Sequence, residues 1–419
     1  MVINRLDYYK TSDLKKRYHL FLRFIAKHWL KLNRQTKVIA VVGSYGKTTT
    51  SQIVYSLLSQ KAPTLATDIN LDTVYNIPLT ILKLRKRHRY LILEVGVDHK
   101  KEMDFHLELF KPDIVIFTGI TCVHSDPNLL GSKEGIIKEK SKAVKALGKK
   151  DWLIANGNDR NVVKIARTHC KDKTLLYGIK NTSVFVENIN FSLSGTKFSL
   201  KVKSKSVELK GKFIGQQFVD AISAAAAIAI IENISINKLE KTVKSIKPLK
   251  GRMNLEKGPK NCTVINDSLR SNPASAKAGL ETLSAIKGKR KIAILGEMGE
   301  LGRYTNIEHK KIGQLINRLQ IDYFIAVGPL MKLAIKEVNN NKITVFPAKD
   351  VFEAANILKH KIKITKNDLI YLKGSLLKHM ERVLLLVKGA KTNCKVVSCP
   401  FYSPCLECKY FKNGYRSLS

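Results

Sequence analysis

Seven consecutive residues, Gly43-Ser44-Tyr45-Gly46-Lys47-Thr48-Thr49, put two glycines, a lysine and two threonines between Val38–Val42, an apolar run, and an apolar-periodic stretch from Thr48 to Leu58. A polyphosphate needs close backbone approach, which glycine permits, and N–H groups aimed inward at a helix N-terminus. In such a loop Lys47 reaches the β- and γ-phosphates and the Thr48 hydroxyl holds Mg²⁺. A chance Gly-Lys-Thr turn is the alternative, and the strand before and helix after argue against it. The spacing is not the general G-x-x-x-x-G-K-[ST], because Val41 stands where the earlier glycine belongs.

The elements around the loop predict an α/β chain. Val38–Val42, Tyr90–Val95, Ile114–Thr118 and Trp152–Ala155 are short apolar runs separated by helical segments, the pattern of a largely parallel, doubly wound sheet. Residues 173–212 carry shorter alternating runs and are expected to form a small antiparallel insert, followed by an alanine-rich helix, Ala221–Ile231. A second alternating series, Thr263–Ile265, Ile292–Leu295, Tyr323–Val327, Ile343–Phe346 and Leu369–Leu372, predicts another α/β domain of Rossmann-like type. The expected division is a leader over residues 1–36, a central ATP-binding domain over 37–248, a C-terminal α/β domain over 249–390 and a Cys-rich tail over 391–419.

The chain carries 74 Lys and Arg against 34 acidic residues, a net charge of +40, which favours anionic partners. Lysine dominates and is spread along the whole sequence, so a solvated surface is a better reading than a nucleic-acid interface. The basic run Lys83-Leu84-Arg85-Lys86-Arg87-His88-Arg89 is read as a solvated turn before a strand. No apolar run approaches about 18 residues, and the N-terminus lacks a signal peptide, so a cytoplasmic protein is expected.

In the leader, Leu14, Tyr18, Phe21, Leu22, Ile25, Trp29 and Leu32 recur at helical spacing between basic residues. Two expectations follow: the helix packs this apolar stripe on the domain behind it, or it lies on an anionic membrane surface. In the tail, Cys394, Cys399, Cys405 and Cys408 have the composition of a four-thiolate zinc site, although only the last pair has tight knuckle spacing. A tail with free thiols is the alternative.

From the loop onward the chain resembles the Mur ligases over residues 37–388. The loop resembles that family's G-T-x-G-K-[ST]-[ST], with Ser44 for the first threonine. Glu94-Val95-Gly96-Val97-Asp98-His99 looks like E-M-G-A-N-H of the F-type ligases, which join D-alanyl-D-alanine to a UDP-N-acetylmuramoyl-tripeptide. Pro112-Asp113 with His124, and Gly131–Gly135 with Lys140, resemble two further family stretches. So do Gly251-Arg252-Met253, Asn266-Asp267-Ser268 with Asn272-Pro273, Leu295–Gly302 with His309, and Lys373-Gly374-Ser375 with Met380-Glu381.

The resemblance implies an ATP-dependent amide ligase of peptidoglycan precursor synthesis, acting through an acyl phosphate on anionic peptide substrates. It implies that Thr48 and Glu94 hold one Mg²⁺ and that His124 and a carbamylated Lys140 help hold a second. It makes Lys47, Lys140 and His124 the candidate catalytic residues, and it adds Arg252 and Asp267 to the nucleotide contacts. Each role has an ordinary rival: a solvated strand-end carboxylate for Glu94, a loop imidazole for His124, a lysine-rich helix face for Lys140, a turn cap for Asp267.

The match fails in four places. About 36 residues precede the first strand, too few for the UDP-binding domain of the F-type enzymes, so a different grip on that group or a different acceptor is expected. The family's G-x-H-N-x-x-N reads Gly215-Gln216-Gln217-Phe218-Val219-Asp220-Ala221. Its D-D-S-Y-N reads Asn266-Asp267-Ser268-Leu269-Arg270, and its N-N-x-x-G-x-P reads Asp72-Thr73-Val74-Tyr75-Asn76-Ile77-Pro78. These changes touch substrate identity and leave the phosphate chemistry alone.

Overall fold

The computed structural model describes residues 12–69, 72–170, 173–178, 182–202, 205–399 and 404–414. Residues 1–11 of the leader and 415–419 of the tail lie outside them. Contacts divide the chain into two compact units near Lys247, with residues 190–196 and 212–216 assigned to the second.

The first unit runs α1 (Asp13–Leu32), β1 (Lys37–Val42), α2 (Lys47–Leu58), β2 (Thr64–Ala66), α3 (Thr73–Leu82), β3 (Tyr90–Val95), α4 (Glu102–Leu107), β4 (Ile114–Phe117), α5 (Lys133–Lys145), β5 (Trp152–Asn156) and α6 (Arg160–His169). Strands β6 (Thr174–Gly178), β7 (Val184–Ser192), β8 (Gly195–Val202) and β9 (Lys205–Gly211) follow, then α7 (Gln216–Ile231) and α8 (Ile236–Ser245). The sheet has nine strands in the order β2-β3-β1-β4-β5-β6-β7-β8-β9.

Strand β1 is buried from Val38 to Val42, which is why it reads as an unbroken apolar run: helices cover both faces of a parallel sheet. The expected antiparallel insert holds for β7–β9, sheet neighbours whose two-residue connections only antiparallel strands allow, and is corrected for its start. Strand β6 pairs in parallel with β5, and β7 in parallel with β6, so the segment extends the main sheet. Its alternating pattern reflects burial on one face only, as in the burial of Val184 and Val186. Helix α7 is apolar nearly all round and buried from Val219 to Ala229 except Asp220, a core helix with no solvent face to pattern.

The second unit runs β10 (Asn254–Lys257), β11 (Thr263–Asp267), α9 (Pro273–Ala285), β12 (Arg290–Gly296), α10 (Thr305–Ile316), β13 (Tyr323–Val327), α11 (Lys332–Ile335), β14 (Thr344–Ala348), α12 (Val351–His360), β15 (Asp368–Lys373), α13 (Glu381–Val387) and α14 (Tyr410–Asn413). Its six strands lie in the order β10-β11-β15-β12-β13-β14, parallel except for β10 at the edge. Helix α9 starts at a capping box: the Asn272 side chain accepts from Ser275 N, Ser275 answers the Asn272 N–H, and Pro273 occupies the first turn.

The N-terminal helix departs from the packing expected for it. Helix α1 turns His19, Arg23 and Ala26 inward, while Leu14, Tyr18, Phe21 and Leu32 face outward. Of the apolar stripe only Leu22 and Trp29 turn partly inward. Backbone satisfies the inward polar groups in part: His19 Nε2 bonds Val74 O at 3.0 Å, and the Arg23 guanidinium donates to Phe105 O while covering the Phe105 ring, whereas His19 Nδ1 and Arg23 Nη1 find no hydrogen-bond partner among the described residues.

Candidate active site

The phosphate-type loop sits at the C-terminal end of β1, the strand between β3 and β4. Two backbone positions fix its shape. Gly43 has φ +150°, and a Cβ there would lie 2.1 Å from Thr118 Oγ1; Gly46 has φ +76° and begins α2. Ser44 N donates to Gly119 O at 2.7 Å, and Thr118 Oγ1 donates to Tyr45 O at 2.5 Å. The end of β4 therefore braces the loop from one side.

Inside this frame Lys47 Nζ donates to Gly43 O at 3.1 Å, folding the ammonium back over the loop. Thr48 and Thr49 are buried on the first turn of α2. The Ser44 hydroxyl is buried and makes no hydrogen bond to protein. A buried hydroxyl without a protein partner costs stability unless something else bonds it, and a phosphate oxygen suits that place. Tyr45 packs its ring on Gly119, where a Cβ would lie 2.1 Å from the ring; burial, with Asp159 and Asp220 nearby, raises its phenol far above the ordinary range.

Neighbouring strands supply the rest. Val41 of β1 is in register with Glu94 of β3, which brings Glu94 Oε1 within 3.1 Å of Thr48 Oγ1. Three residues beyond Glu94, the carbonyl of Val97 takes two donors: Lys140 Nζ at 2.8 Å and His124 Nδ1 at 3.2 Å. A carbonyl only accepts, so the His124 proton sits on Nδ1 and Nε2 is the unprotonated nitrogen of the neutral ring. Burial, then the neighbouring Lys140 charge, lowers the His124 pKa to about 3. Lys140 is 0% exposed, and burial followed by repulsion from Lys47 lowers its pKa to about 7.

The sequence names Glu94, His124, Lys140 and the loop, and the first unit brings all of them to one end of its sheet. Helix α5 separates Lys140 from the lysines around it: Lys138 is exposed, and Lys142 bonds Asp104 at 2.6 Å and Glu139 at 2.8 Å. Sequence reasoning missed three contributors. Thr118, the brace, lies at the end of an expected strand. Asp98 stands where the family pattern has Asn, and its field acts on both His124 and Lys140. Glu102 accepts from Asp98 N at 2.8 Å and His99 N at 3.0 Å, so Asp98, His99 and Glu102 form a group with metal-ligand spacing.

Arg252 and Asp267 belong to the second unit. Asp267, at the end of β11, accepts from Lys373 Nζ at 2.5 Å and Tyr371 Oη at 3.1 Å. Strands β11, β15 and β12 are neighbours, so the turns carrying Asp267, Lys373-Gly374-Ser375 and Gly296-Glu297 emerge side by side, with Ser375 N bonded to Glu297 O at 3.1 Å. His309 is buried; Met298 N donates to its Nε2 at 3.1 Å, and its Nδ1 bonds Thr305 O at 2.7 Å. It works there as a loop anchor.

The tail cysteines do not assemble as expected. Tetrahedral thiolate ligation holds its sulfurs within about 4 Å of one another. Among the described residues, the ligand group at the tail is instead His379, Glu381 and Cys405. The buried Arg382 guanidinium lies 3.2 Å from Cys405 Sγ and 3.8 Å from Cys394 Sγ. A cation already stands between these two sulfurs.

A glycine loop between a central parallel strand and a helix, with a carboxylate at the end of the next strand, defines an α/β nucleotide-binding protein with a metal-ready phosphate site. The profile of the Mur ligase middle domain matches residues 41–230, and that of the Mur ligase, glutamate ligase domain matches residues 251–376; the chain belongs to the Mur ligase family. It is 27% identical over 372 residues to the UDP-N-acetylmuramoyl-tripeptide–D-alanyl-D-alanine ligase of Buchnera aphidicola, covering 87% of this chain and 80% of that one. The crystal structure of MurF from Acinetobacter baumannii matches with a TM-score of 0.79 at 27% identity over 88% of this chain and 80% of that chain. MurF from Thermotoga maritima, solved in complex with ADP, shares the fold at a TM-score of 0.77 and 22% identity, over 89% and 84% of the two chains.

Proposed function

We propose that this chain is an ATP-dependent ligase that activates a carboxylate as an acyl phosphate and joins it to an amine. The proposed substrates are a UDP-N-acetylmuramoyl-tripeptide and D-alanyl-D-alanine, as the names of its relatives indicate. The observation that carries the reading is the pair of donors on one carbonyl, Lys140 and His124 on Val97 O, beside a phosphate-type loop.

In the proposed reaction a substrate carboxylate oxygen attacks the γ-phosphorus and ADP leaves. The amine nitrogen then attacks the acyl carbon, phosphate departs, and one proton is released. Lys47 and the N–H groups of residues 43–49 hold the phosphates in line for that transfer. Thr48 and Glu94 are the residues that would hold one Mg²⁺, and His124 with Lys140 a second; the metal supplies charge neutralisation among the anions. Lys140 suits its part because an amine with pKa about 7 is about half uncharged near neutrality, where an ordinary lysine is almost wholly protonated. Its lone pair adds to the carbon of CO₂, a proton leaves to water, and the resulting carbamate offers oxygens that a hard cation prefers. Arg252 and Asp267 are proposed to contact the nucleotide from the second unit, in a division of 37–248 and 249–390 for the two catalytic domains, flanked by 1–36 and 391–419.

For the tail we take Arg382 with Cys394 and Cys405 as a thiol–guanidinium lock; cysteine spacing alone supports zinc. Full-length protein that purifies with one zinc per chain would overturn the lock. No helix of the described residues is long and apolar enough to cross a membrane, and the proposed site of action is the cytoplasm.

The test is phosphate release from ATP with Mg²⁺, each substrate supplied alone and both together, with the product weighed by mass spectrometry. Release that needs both substrates and a product of the summed mass less water supports the reading. Release indifferent to any carboxylate and amine pair refutes it.

A further inference from the structure

The outward face of α1 and the basic run at 83–89, separate features in the sequence, adjoin in the structure. Trp29 Nε1 donates to Leu84 O at 3.2 Å, Gln35 Nε2 to Lys86 O at 3.1 Å, and Thr36 Oγ1 to His88 O at 2.9 Å. These bonds seat the turn after α3 at the C-terminal end of α1. Along that helix Leu14, Tyr18, Phe21, Ile25 and Leu32 fall on one face, and Leu14 is 79% and Leu32 73% exposed. The polar residues expected outside, His19 and Arg23, are the buried ones. A helix patterned this way exposes its oily face to water while burying charge, an arrangement that needs something to cover the outside.

We propose that this face docks on an anionic membrane surface, with the stripe from Leu14 to Leu32 in the headgroup boundary and the 83–89 turn against lipid phosphates. Charge selects the occupant. Arg85, Lys86, Arg87 and Arg89 are exposed at one end, with Lys27 and Lys31 exposed on α1. Of the acidic groups nearby, Asp13 lies 3.6 Å from Lys16, Asp68 pairs with Lys83 at 2.6 Å, and the exposed Glu108 acts on the buried Arg23. A second copy of this chain would bring the same positive cluster to the contact, whereas anionic headgroups complement it. The inference stands apart from the ligase reading, because none of these residues touches the phosphate loop.

The test is sedimentation of the full chain with phosphatidylcholine vesicles, with and without phosphatidylglycerol. Binding that requires phosphatidylglycerol and weakens with salt is expected. Phe21→Glu with Ile25→Glu should abolish it. Removing Lys86, Arg87 and Arg89 as glutamines should weaken it about 100-fold, at about fivefold per basic side chain near an anionic surface. Thermal melting and binding of a non-hydrolysable ATP analogue should be unchanged in both variants, because the altered side chains are exposed. Failure to bind phosphatidylglycerol vesicles overturns the proposal, as does undiminished binding by either variant. A shift from dimer to monomer in light scattering on Phe21→Glu with Ile25→Glu would assign the face to a second copy and overturn it too. Displacement by nucleic acid in preference to vesicles would do the same.

Discussion

Replacing Lys140 by methionine should kill the enzyme and stabilise the protein. Lys140 is fully buried, and its pKa falls from 10.5 unfolded to about 7 folded. At about 1.36 kcal/mol per unit, holding this amine in the fold costs about 5 kcal/mol below the folded pKa, and the cost shrinks to nothing as pH rises to 10.5. The sign follows from proton counts. Between about pH 7 and 10.5 the unfolded state binds the proton and the folded state does not, so native stability rises with pH across that window. Methionine keeps most of the stem and cannot ionise, and it gives up the bond to Val97 O, worth about 1 kcal/mol. The variant should therefore gain about 4 kcal/mol over the parent at pH 6, and about 1 kcal/mol at pH 9. Urea unfolding in CO₂-depleted buffer at several pH values measures this, with the ligase assay run beside it. A variant that is less stable at pH 6, or a gain that does not shrink as pH rises, would show that Lys140 is an ordinary charged lysine and remove the carbamate from the mechanism.

Thr48→Val keeps the shape and deletes the hydroxyl that meets Glu94 Oε1 at 3.1 Å; kcat/KM should fall about 100-fold, or about 2.7 kcal/mol, against a stability loss of about 1 kcal/mol in urea unfolding. Gly43→Ala places a Cβ 2.1 Å from Thr118 Oγ1 at a φ of +150°, so denaturation should show a loss of about 2–4 kcal/mol and nucleotide titration weakened binding. His124 is held neutral, its pKa lowered from 6.5 to about 3 by burial and then by Lys140. The unfolded chain takes up this proton as pH falls through 6.5 while the folded chain refuses it, so His124 should cost about 2 kcal/mol of stability by pH 5, and His124→Gln should flatten that part of the curve.

Local patterns made much of the first unit legible. Strand β3 runs Tyr90–Val95 and α2 ends at Leu58, as the apolar runs indicate, because a strand covered on both faces must be apolar throughout. The phosphate loop was legible for a related reason: its chemistry is local, packed into seven residues whose backbone does most of the binding. Residues 173–212 were less so. Half-buried strands alternate whichever way their neighbours run, so the pattern cannot distinguish parallel from antiparallel pairing.

What the sequence by itself determined, then, is the set of chemical groups and the elements that carry them: the glycine loop, Glu94 at a strand end, Lys140 on a helix. Tertiary structure alone decided which groups meet. The β1–β3 register aims Glu94 at Thr48, and Val97 gathers His124 and Lys140 from distant segments. Burial turned one lysine of a basic helix into a near-neutral amine. It also faced α1 with its apolar side out and set a guanidinium among the tail sulfurs. Such outcomes depend on long-range packing and on the local dielectric, and neither is written in the spacing of residues along a chain.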